Sequence, residues 1–132
     1  MKPEILSFPL LTDARGSLAP IEFTKHIPFV PARLFTLSGM PSDVNRGGHA
    51  HIATSQILLV LQGACVLELD NGLEKQSFNL DTPQKGVLVP PLHWDSLHSF
   101  APNTVILVLS DRVYSPEDYI RDYSNFLALV HA

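Results

Sequence analysis

The chain has 132 residues, 45% of them hydrophobic, which excludes a disordered protein and predicts one domain, residues 1–132, with a buried core. The net charge of −4 argues against nucleic acid as a partner. Cys65 is the single cysteine, so no intrachain disulfide is possible, and its apolar surroundings in the sequence predict a buried thiol.

The start of the chain lacks the apolar core of a signal peptide. No segment approaches the ~20 consecutive apolar residues needed to cross a bilayer. The cytoplasm is therefore the expected location, with no membrane as a partner.

Short apolar segments separated by turns predict an all-β domain. The predicted strands are residues 33–38, 57–61, 65–69, 73–80, 86–89 and 104–109. Residues 43–48 are polar and glycine-rich, which predicts a loop. Asn71-Gly72 predicts a hairpin with a type I′ turn, because this pair readily adopts the positive φ angles that the turn requires. Short strands with frequent turns are typical of a sandwich or a barrel.

The last part of the chain has a different pattern. Ser115 as N-cap, Pro116 at the first helical position and two acidic residues after it predict a helix that begins there. Apolar residues at helical spacing up to Val130 predict that one face of this helix packs on the barrel.

The segment Arg46-Gly47-Gly48-His49-Ala50-His51 is the most informative for chemistry. Residues two apart in a strand face the same side, so His49 and His51 are expected to project together into the barrel. Their spacing fits metal ligation, acid–base catalysis or a hydrogen-bonded core pair. Metal-binding cupins place a glutamate where this chain has Gln56, and a neutral amide is a poorer ligand for a divalent ion. The metal hypothesis is therefore less favoured.

A set of motifs in fixed order extends over nearly the whole chain. They are residues 13–18, 27–29, 33, 46–51, 80–83, 86, 94, 97–100, 114, 117–123 and 126. In these segments the chain resembles the sugar-nucleotide 3,4-ketoisomerases, metal-free cupins that act on dTDP-4-keto-6-deoxyglucose. The resemblance implies a cupin double-stranded β-helix, that is, a jelly-roll barrel, with a short C-terminal helix.

The family's reaction, as the resemblance implies, moves a keto group from C4 to C3 of the sugar through an enediol, without a cofactor. Histidine suits the proton transfers because its ordinary pKa is ~6.5. The resemblance favours His49 as the main acid–base residue and His51 as its partner. Because guanidinium groups bind phosphate oxygens, Arg15, Arg33 and Arg46 are predicted to hold the diphosphate.

Further expectations follow from the same resemblance. Trp94 and His98 are predicted to contact the substrate near the barrel mouth, whereas His93 and Asp95 are expected to face solvent without a catalytic role. The protein is expected to form a homodimer that exchanges N-terminal strands. It is expected to serve deoxysugar biosynthesis for cell-surface glycans such as the O-antigen of lipopolysaccharide.

Some alternatives remain open at this stage. One is a metal-dependent cupin enzyme in which His49, His51 and His98 hold an ion. Another is a sugar-nucleotide binding protein without activity, or an epimerase of the same substrates. The chain departs from the family pattern at Phe35, Thr36, Ile52 and Asp95, so the substrate and the configuration of the product at C4 are not predicted.

Overall fold

The computed structural model describes all 132 residues, Met1–Ala132, and consists mainly of antiparallel strands. The strands are β1 (Glu4–Ser7), β2 (Leu11–Asp13), β3 (Gly16–Leu18), β4 (Arg33–Leu37), β5 (Arg46–His51), β6 (Gln56–Gln62), β7 (Cys65–Asp70), β8 (Lys75–Leu80), β9 (Lys85–Val89), β10 (Trp94–His98), β11 (Val105–Ser110) and β12 (Tyr119–Ile120). A 3₁₀ turn spans Pro116–Asp118, and the helix α1 spans Tyr123–Val130.

Two five-stranded sheets face each other. One has the strand order β1-β9-β6-β11-β4 and the other has the order β12-β5-β10-β7-β8, while β2 and β3 form a separate hairpin. Apart from the β7–β8 hairpin, neighbouring strands in each sheet are far apart in the sequence, as in a jelly roll. The prediction of an all-β barrel with a short C-terminal helix is confirmed.

The main core lies between the two sheets. Side chains of strand β11 alternate between the two faces of its sheet. Ile106 and Val108 point into the main core, while Leu109 packs on the outer face. Ser110 continues the inward series, and its register partners are Gln56 on β6 and Arg33 on β4. One end of the barrel interior is therefore lined by polar side chains.

Both outer faces are also covered. Phe8 and Ile27 from the N-terminal segment pack on the outside of the first sheet. On the second sheet, Phe126 of α1 packs over Ala50 and Trp94. The structure contains no helix with the length and apolar character needed to cross a membrane.

The predicted start of the C-terminal helix was wrong. The side chain of Ser115 caps nothing, and the 3₁₀ turn is followed by β12, which pairs with β5. This pairing keeps the chain extended, so α1 begins only at Tyr123. Its N-cap is Asp122, whose carboxylate accepts a hydrogen bond from the backbone N–H of Asn125.

Two turn predictions also need correction. The hairpin after β7 has a four-residue loop, since Asp70 pairs with Lys75, and only Gly72 in that loop has a positive φ. The Asn71 side-chain oxygen accepts hydrogen bonds from two backbone N–H groups of the loop, so this asparagine stabilises a wider turn. Residues 46–48, predicted as loop, begin strand β5 instead.

Candidate active site

His49 and His51 lie on the inward face of β5, as predicted. Their ring centroids are 5.2 Å apart in an edge-on arrangement. Ala50 between them points the other way and is buried under α1. The Tyr119 ring lies 5.1 Å from His49 and 4.4 Å from His51, so the three rings form one cluster.

A β-bulge at Gly47 and Gly48 shapes the start of this strand. His49 pairs with Asp95 and Gly47 with Ser96, so Gly48 is the extra residue between them. Both glycines have positive φ. In a regular strand Arg46 and His49, three residues apart, would face opposite sides, but the bulge brings them to the same face. Arg46 pairs with the inward-facing Leu97 and is itself exposed.

Asp118 holds His51 in place. Its carboxylate lies 3.1 Å from Nδ1 of His51 and accepts hydrogen bonds from the Ala53 N–H and the Thr54 hydroxyl. Burial acts to raise the pKa of Asp118, but these hydrogen bonds outweigh it and hold the pKa below its ordinary value. The ionised carboxylate can only accept, so Nδ1 of His51 carries the hydrogen and Nε2 is left with its lone pair. Nε2 is buried and has no hydrogen-bond partner.

Asp95 faces the other histidine. Its Oδ2 atom lies 3.7 Å from Nε2 of His49, directly across the strand pair. Burial lowers the pKa of His49 to about 4, helped by the positive charges of His51 and Arg121 and opposed by a hydrogen bond to the Gly47 backbone. Burial also lowers the pKa of His51, against the pull of Asp118. Both imidazoles are therefore neutral near pH 7 and able to accept a proton.

Two arginines contact the Tyr119 side chain of this cluster. Arg33 donates from Nη1 to the Tyr119 hydroxyl at 3.4 Å, and its guanidinium lies 4.4 Å from the Phe35 ring and 5.1 Å from the Tyr114 ring. The guanidinium of Arg121 stacks on the Tyr119 ring itself, 4.5 Å from the centroid of that ring. Stacking on aromatic rings holds these cations in position without neutralising their charge.

Gln56 occupies the position at which metal-binding cupins have a glutamate ligand, and its amide is hydrogen-bonded within the protein. Gln56 donates from Nε2 to the Ser110 hydroxyl at 3.1 Å inside the barrel. No group of three or more histidine, cysteine, aspartate or glutamate side chains lies where it could hold an ion. This donor set does not fit the alternative of a three-histidine metal site.

Trp94 and His98 do not join the histidine pair. They lie on the outward face of β10, whereas Asp95 and Leu97 of the same strand point inward. Trp94 packs against Tyr123 and Phe126. Nε2 of His98 donates at 2.9 Å to the carboxylate of Glu68, which lies on the same outer face. His98 is therefore not placed to hold an ion together with His49 and His51, whereas contact of Trp94 and His98 with the substrate stays a prediction.

Arg15 lies at the tip of the β2–β3 hairpin, exposed and paired with Asp13 at 2.6 Å. Nothing within this chain connects it to His49 or His51. The prediction that His93 and Asp95 face solvent was also wrong, since their exposed fractions are 8% and 4%. His93 bonds the Pro91 carbonyl, while Asp95 is part of the site.

Several site residues were not predicted from the sequence. Tyr119, Arg121 and Asp118 all belong to the tail segment 117–123, which carried the family resemblance but no assigned role. A helix was expected there, and only the pairing of β12 with β5 brings Tyr119 opposite His51. Tyr114, another position of the family resemblance without an assigned role, has its ring centroid 5.6 Å from that of Tyr119.

Comparisons with known proteins show the family to which the chain belongs. The family model described as "FdtA: WxcM-like, C-terminal" matches residues 1–131. A curated relative from Aneurinibacillus thermoaerophilus, TDP-4-oxo-6-deoxy-alpha-D-glucose-3,4-oxoisomerase, is 38% identical over 126 residues, covering 96% of this chain and 91% of the relative. The chain therefore belongs to the FdtA, WxcM-like family.

Solved structures give the same result. A 3,4-ketoisomerase from Helicobacter canadensis is 34% identical with a TM-score of 0.96, covering 100% of this chain and 99% of the other. A 3,4-ketoisomerase from Thermoanaerobacterium thermosaccharolyticum is 30% identical with a TM-score of 0.95, covering 97% and 93%. That structure is a histidine-to-asparagine mutant in complex with TDP-4-keto-6-deoxyglucose.

Proposed function

We propose that this protein is a sugar-nucleotide 3,4-ketoisomerase, which moves the keto group between C4 and C3 of a dTDP-linked 4-keto-6-deoxyhexose. The observation that carries the proposal is the pair of neutral imidazoles on one strand face, set beside two arginines. The relatives named for this activity match along nearly the whole chain, which supports the same reaction here.

The reaction needs one base and one acid. The C3 hydrogen is acidic because it neighbours the C4 ketone, and removing it gives an enediolate. The C3 hydroxyl then loses its proton as C3 becomes the new ketone, while two protons add at C4, one to the carbon and one to the oxygen, which becomes the hydroxyl. We assign the first step to His49, with His51 as its partner in proton transfer, because both imidazoles are deprotonated near pH 7.

The arginines fit the charges of the substrate. Arg33 and Arg121 flank the Tyr119 ring and are near enough to lower the pKa of His51. Positive charge there also stabilises negative charge that develops on the sugar oxygens. Arg46 is exposed at the entrance to the same face and is suited to the diphosphate.

The proposed activity is tested by incubating the purified protein with dTDP-4-keto-6-deoxyglucose and following the carbonyl carbon by ¹³C NMR. The expected result is transfer of the carbonyl signal from C4 to C3, unchanged after chelator treatment, because no three metal-ligating side chains converge on one point in the site. Binding of dTDP without turnover would favour the non-catalytic alternative. Loss of turnover after chelation, with recovery on adding one ion, would favour a metal enzyme.

We also propose a homodimer. Strands β1 and β4 leave open sheet edges, and the β2–β3 hairpin exposes Leu11 and Leu18 side by side. A second copy would cover these leucines, and its Arg15 could then reach a site that this chain's own Arg15 does not touch. Sedimentation should give a dimer of the 14.6 kDa chain.

A matched pair of variants tests this dimer. Leu18→Glu should produce monomers, whereas Leu73→Glu, at a leucine that is 86% exposed in the β7–β8 loop, should leave the dimer intact. A wild-type protein that sediments as a monomer at micromolar concentration would contradict the proposal.

The biological setting is proposed on the same basis. We place the enzyme in the cytoplasm, in deoxysugar biosynthesis for a cell-surface glycan such as the O-antigen of lipopolysaccharide. The support is the nucleotide-linked deoxysugar named for the curated relative. Deleting the gene and analysing the sugars of the surface glycans tests it, and an unchanged sugar composition would contradict it.

A further inference from the structure

Asp95 is the buried acidic group in this site that the proposed proton transfers have not used. It lies opposite His49 in the register of β5 and β10, and Oδ2 is 3.7 Å from Nε2 of His49. Its carboxyl group forms no other ion pair. Its exposed fraction is 4%.

The backbone is shaped to admit this carboxyl group. A Cβ atom on Gly47 would lie 2.5 Å from Oδ1 of Asp95 and 2.9 Å from its carbonyl oxygen. Gly48 in the same bulge has open space around its corresponding position. The absence of a side chain at Gly47 therefore makes room for Asp95 beside His49.

We propose that Asp95 is a positioning residue of the isomerase, which orients the His49 imidazole and supplies the negative charge that offsets its protonated form. This inference rests on the proposed function. It goes beyond that function because it makes the basicity of His49 depend on Asp95, a residue outside the histidine pair.

The charges around His49 support this role. From its own strand it faces His51, and from the β12 side it faces Tyr119 and the cation of Arg121. The carboxylate of Asp118 is engaged by His51, Ala53 and Thr54. Asp95 is thus the one acidic group within ion-pair distance of His49. An imidazolium buried without a counter-charge is strongly disfavoured.

The proton balance follows from this arrangement. With Asp95 ionised, His49 takes the C3 proton and becomes an imidazolium paired with the carboxylate. With Asp95 protonated, the same step leaves an unpaired buried cation, and His49 is a weak base. Burial raises the pKa of Asp95 to about 7, so the competent form becomes dominant only above that pH.

NMR of the ¹⁵N-labelled imidazoles tests the pair without any substrate. In the wild type, the His49 resonances should shift once near pH 7, when Asp95 ionises, and again at lower pH, when His49 itself is protonated. The step near pH 7 should vanish in Asp95→Asn. It should persist in Asp70→Asn, where the replaced aspartate is also buried but bonds Tyr123 on the outer face. A wild-type His49 without a step near pH 7 would overturn the proposal, and this result needs no variant to fold.

The pH dependence of kcat/KM gives the functional readout. In the wild type it should decline below about pH 7, roughly tenfold per pH unit. In Asp95→Asn, kcat/KM should be ~10²-fold lower than in the wild type at pH 8. It should also no longer decline below pH 7 in the way that the wild-type value does. An unchanged rate and profile in Asp95→Asn would overturn the inference. If the wild type shows no turnover at all, the proposed function has failed. The NMR titration alone then tests whether Asp95 and His49 interact.

Discussion

Nδ1 of His51 lies 3.1 Å from Oδ2 of Asp118, although the two residues are 67 positions apart in the sequence. The contact exists because β12 pairs with β5 directly after the 3₁₀ turn that carries Asp118. It fixes the tautomer of His51 and leaves Nε2 as an unpaired acceptor in the barrel. His51 is thereby prepared to receive or deliver a proton.

The histidine pair gives the first prediction. His49→Asn should lower kcat by about 10²–10⁴-fold with little change in dTDP affinity, because asparagine keeps much of the size but cannot titrate. His51→Asn should also lower kcat. Turnover assays and calorimetry measure the two quantities, and His131→Asn serves as control, at an exposed position after α1 where the ring contacts the Gly72 carbonyl. Near-normal turnover in both site variants would make the pair structural.

A second prediction concerns the diphosphate. Arg46→Ala should weaken dTDP binding by about 1.5–3 kcal/mol, the range for hydrogen bonds to charged groups. Lys85→Ala, on β9 of the other sheet, should leave the affinity unchanged. Isothermal titration calorimetry measures both variants, and equal affinities would remove Arg46 from the site.

The bulge allows a contrast between two glycines. Gly47→Ala should lower the free energy of unfolding by more than Gly48→Ala does. Both substitutions force alanine into a positive φ, at a strain of ~1–2 kcal/mol, but only the first drives a methyl group into Asp95. Urea denaturation measures the difference. Equal losses would show that Asp95 does not depend on the space at Gly47.

The ionisation of Asp95 should make the stability of the protein depend on pH. Burial raises its pKa to about 7, while the unfolded chain has the ordinary value of ~3.9. Between these values the folded state binds more protons, so the free energy of unfolding contributed by this group falls as pH rises. Asp95→Asn, which mimics the protonated form, should therefore raise Tm more at pH 8 than at pH 5. Asp70→Asn should lower Tm, because the Tyr123 hydroxyl loses the oxygen to which it donates, while Oδ1 can still accept from the Gly72 N–H.

Much of the barrel could be predicted from the sequence because apolar runs and turn residues are local signals. Strands β6, β7 and β9 combine apolar runs with clear turns and were predicted nearly to their ends. Strand β10 was missed because Trp94–His98 alternates polar and apolar residues without a β-branched side chain. Without this strand, the sequence could not show that Trp94 and His98 point outward while Asp95 and Leu97 point inward.

The site itself could be predicted only in part. His49 and His51 were found because period-two spacing is sufficient to place them together. Asp118 and Asp95 were not found, because each reaches its histidine through strand pairing between distant segments. No pattern within either segment indicates such a pairing.

Turnover in heavy water tests the central claim most directly. Wild-type protein incubated with dTDP-4-keto-6-deoxyglucose in D₂O should form the 3-keto product with solvent deuterium at C4, because the enediol is protonated there from a histidine that exchanges with solvent. His49→Asn, folded to the wild-type Tm, should form almost none in the same time. Product that carries the original C3 hydrogen to C4 in every molecule, at the same rate in both proteins, would contradict the account.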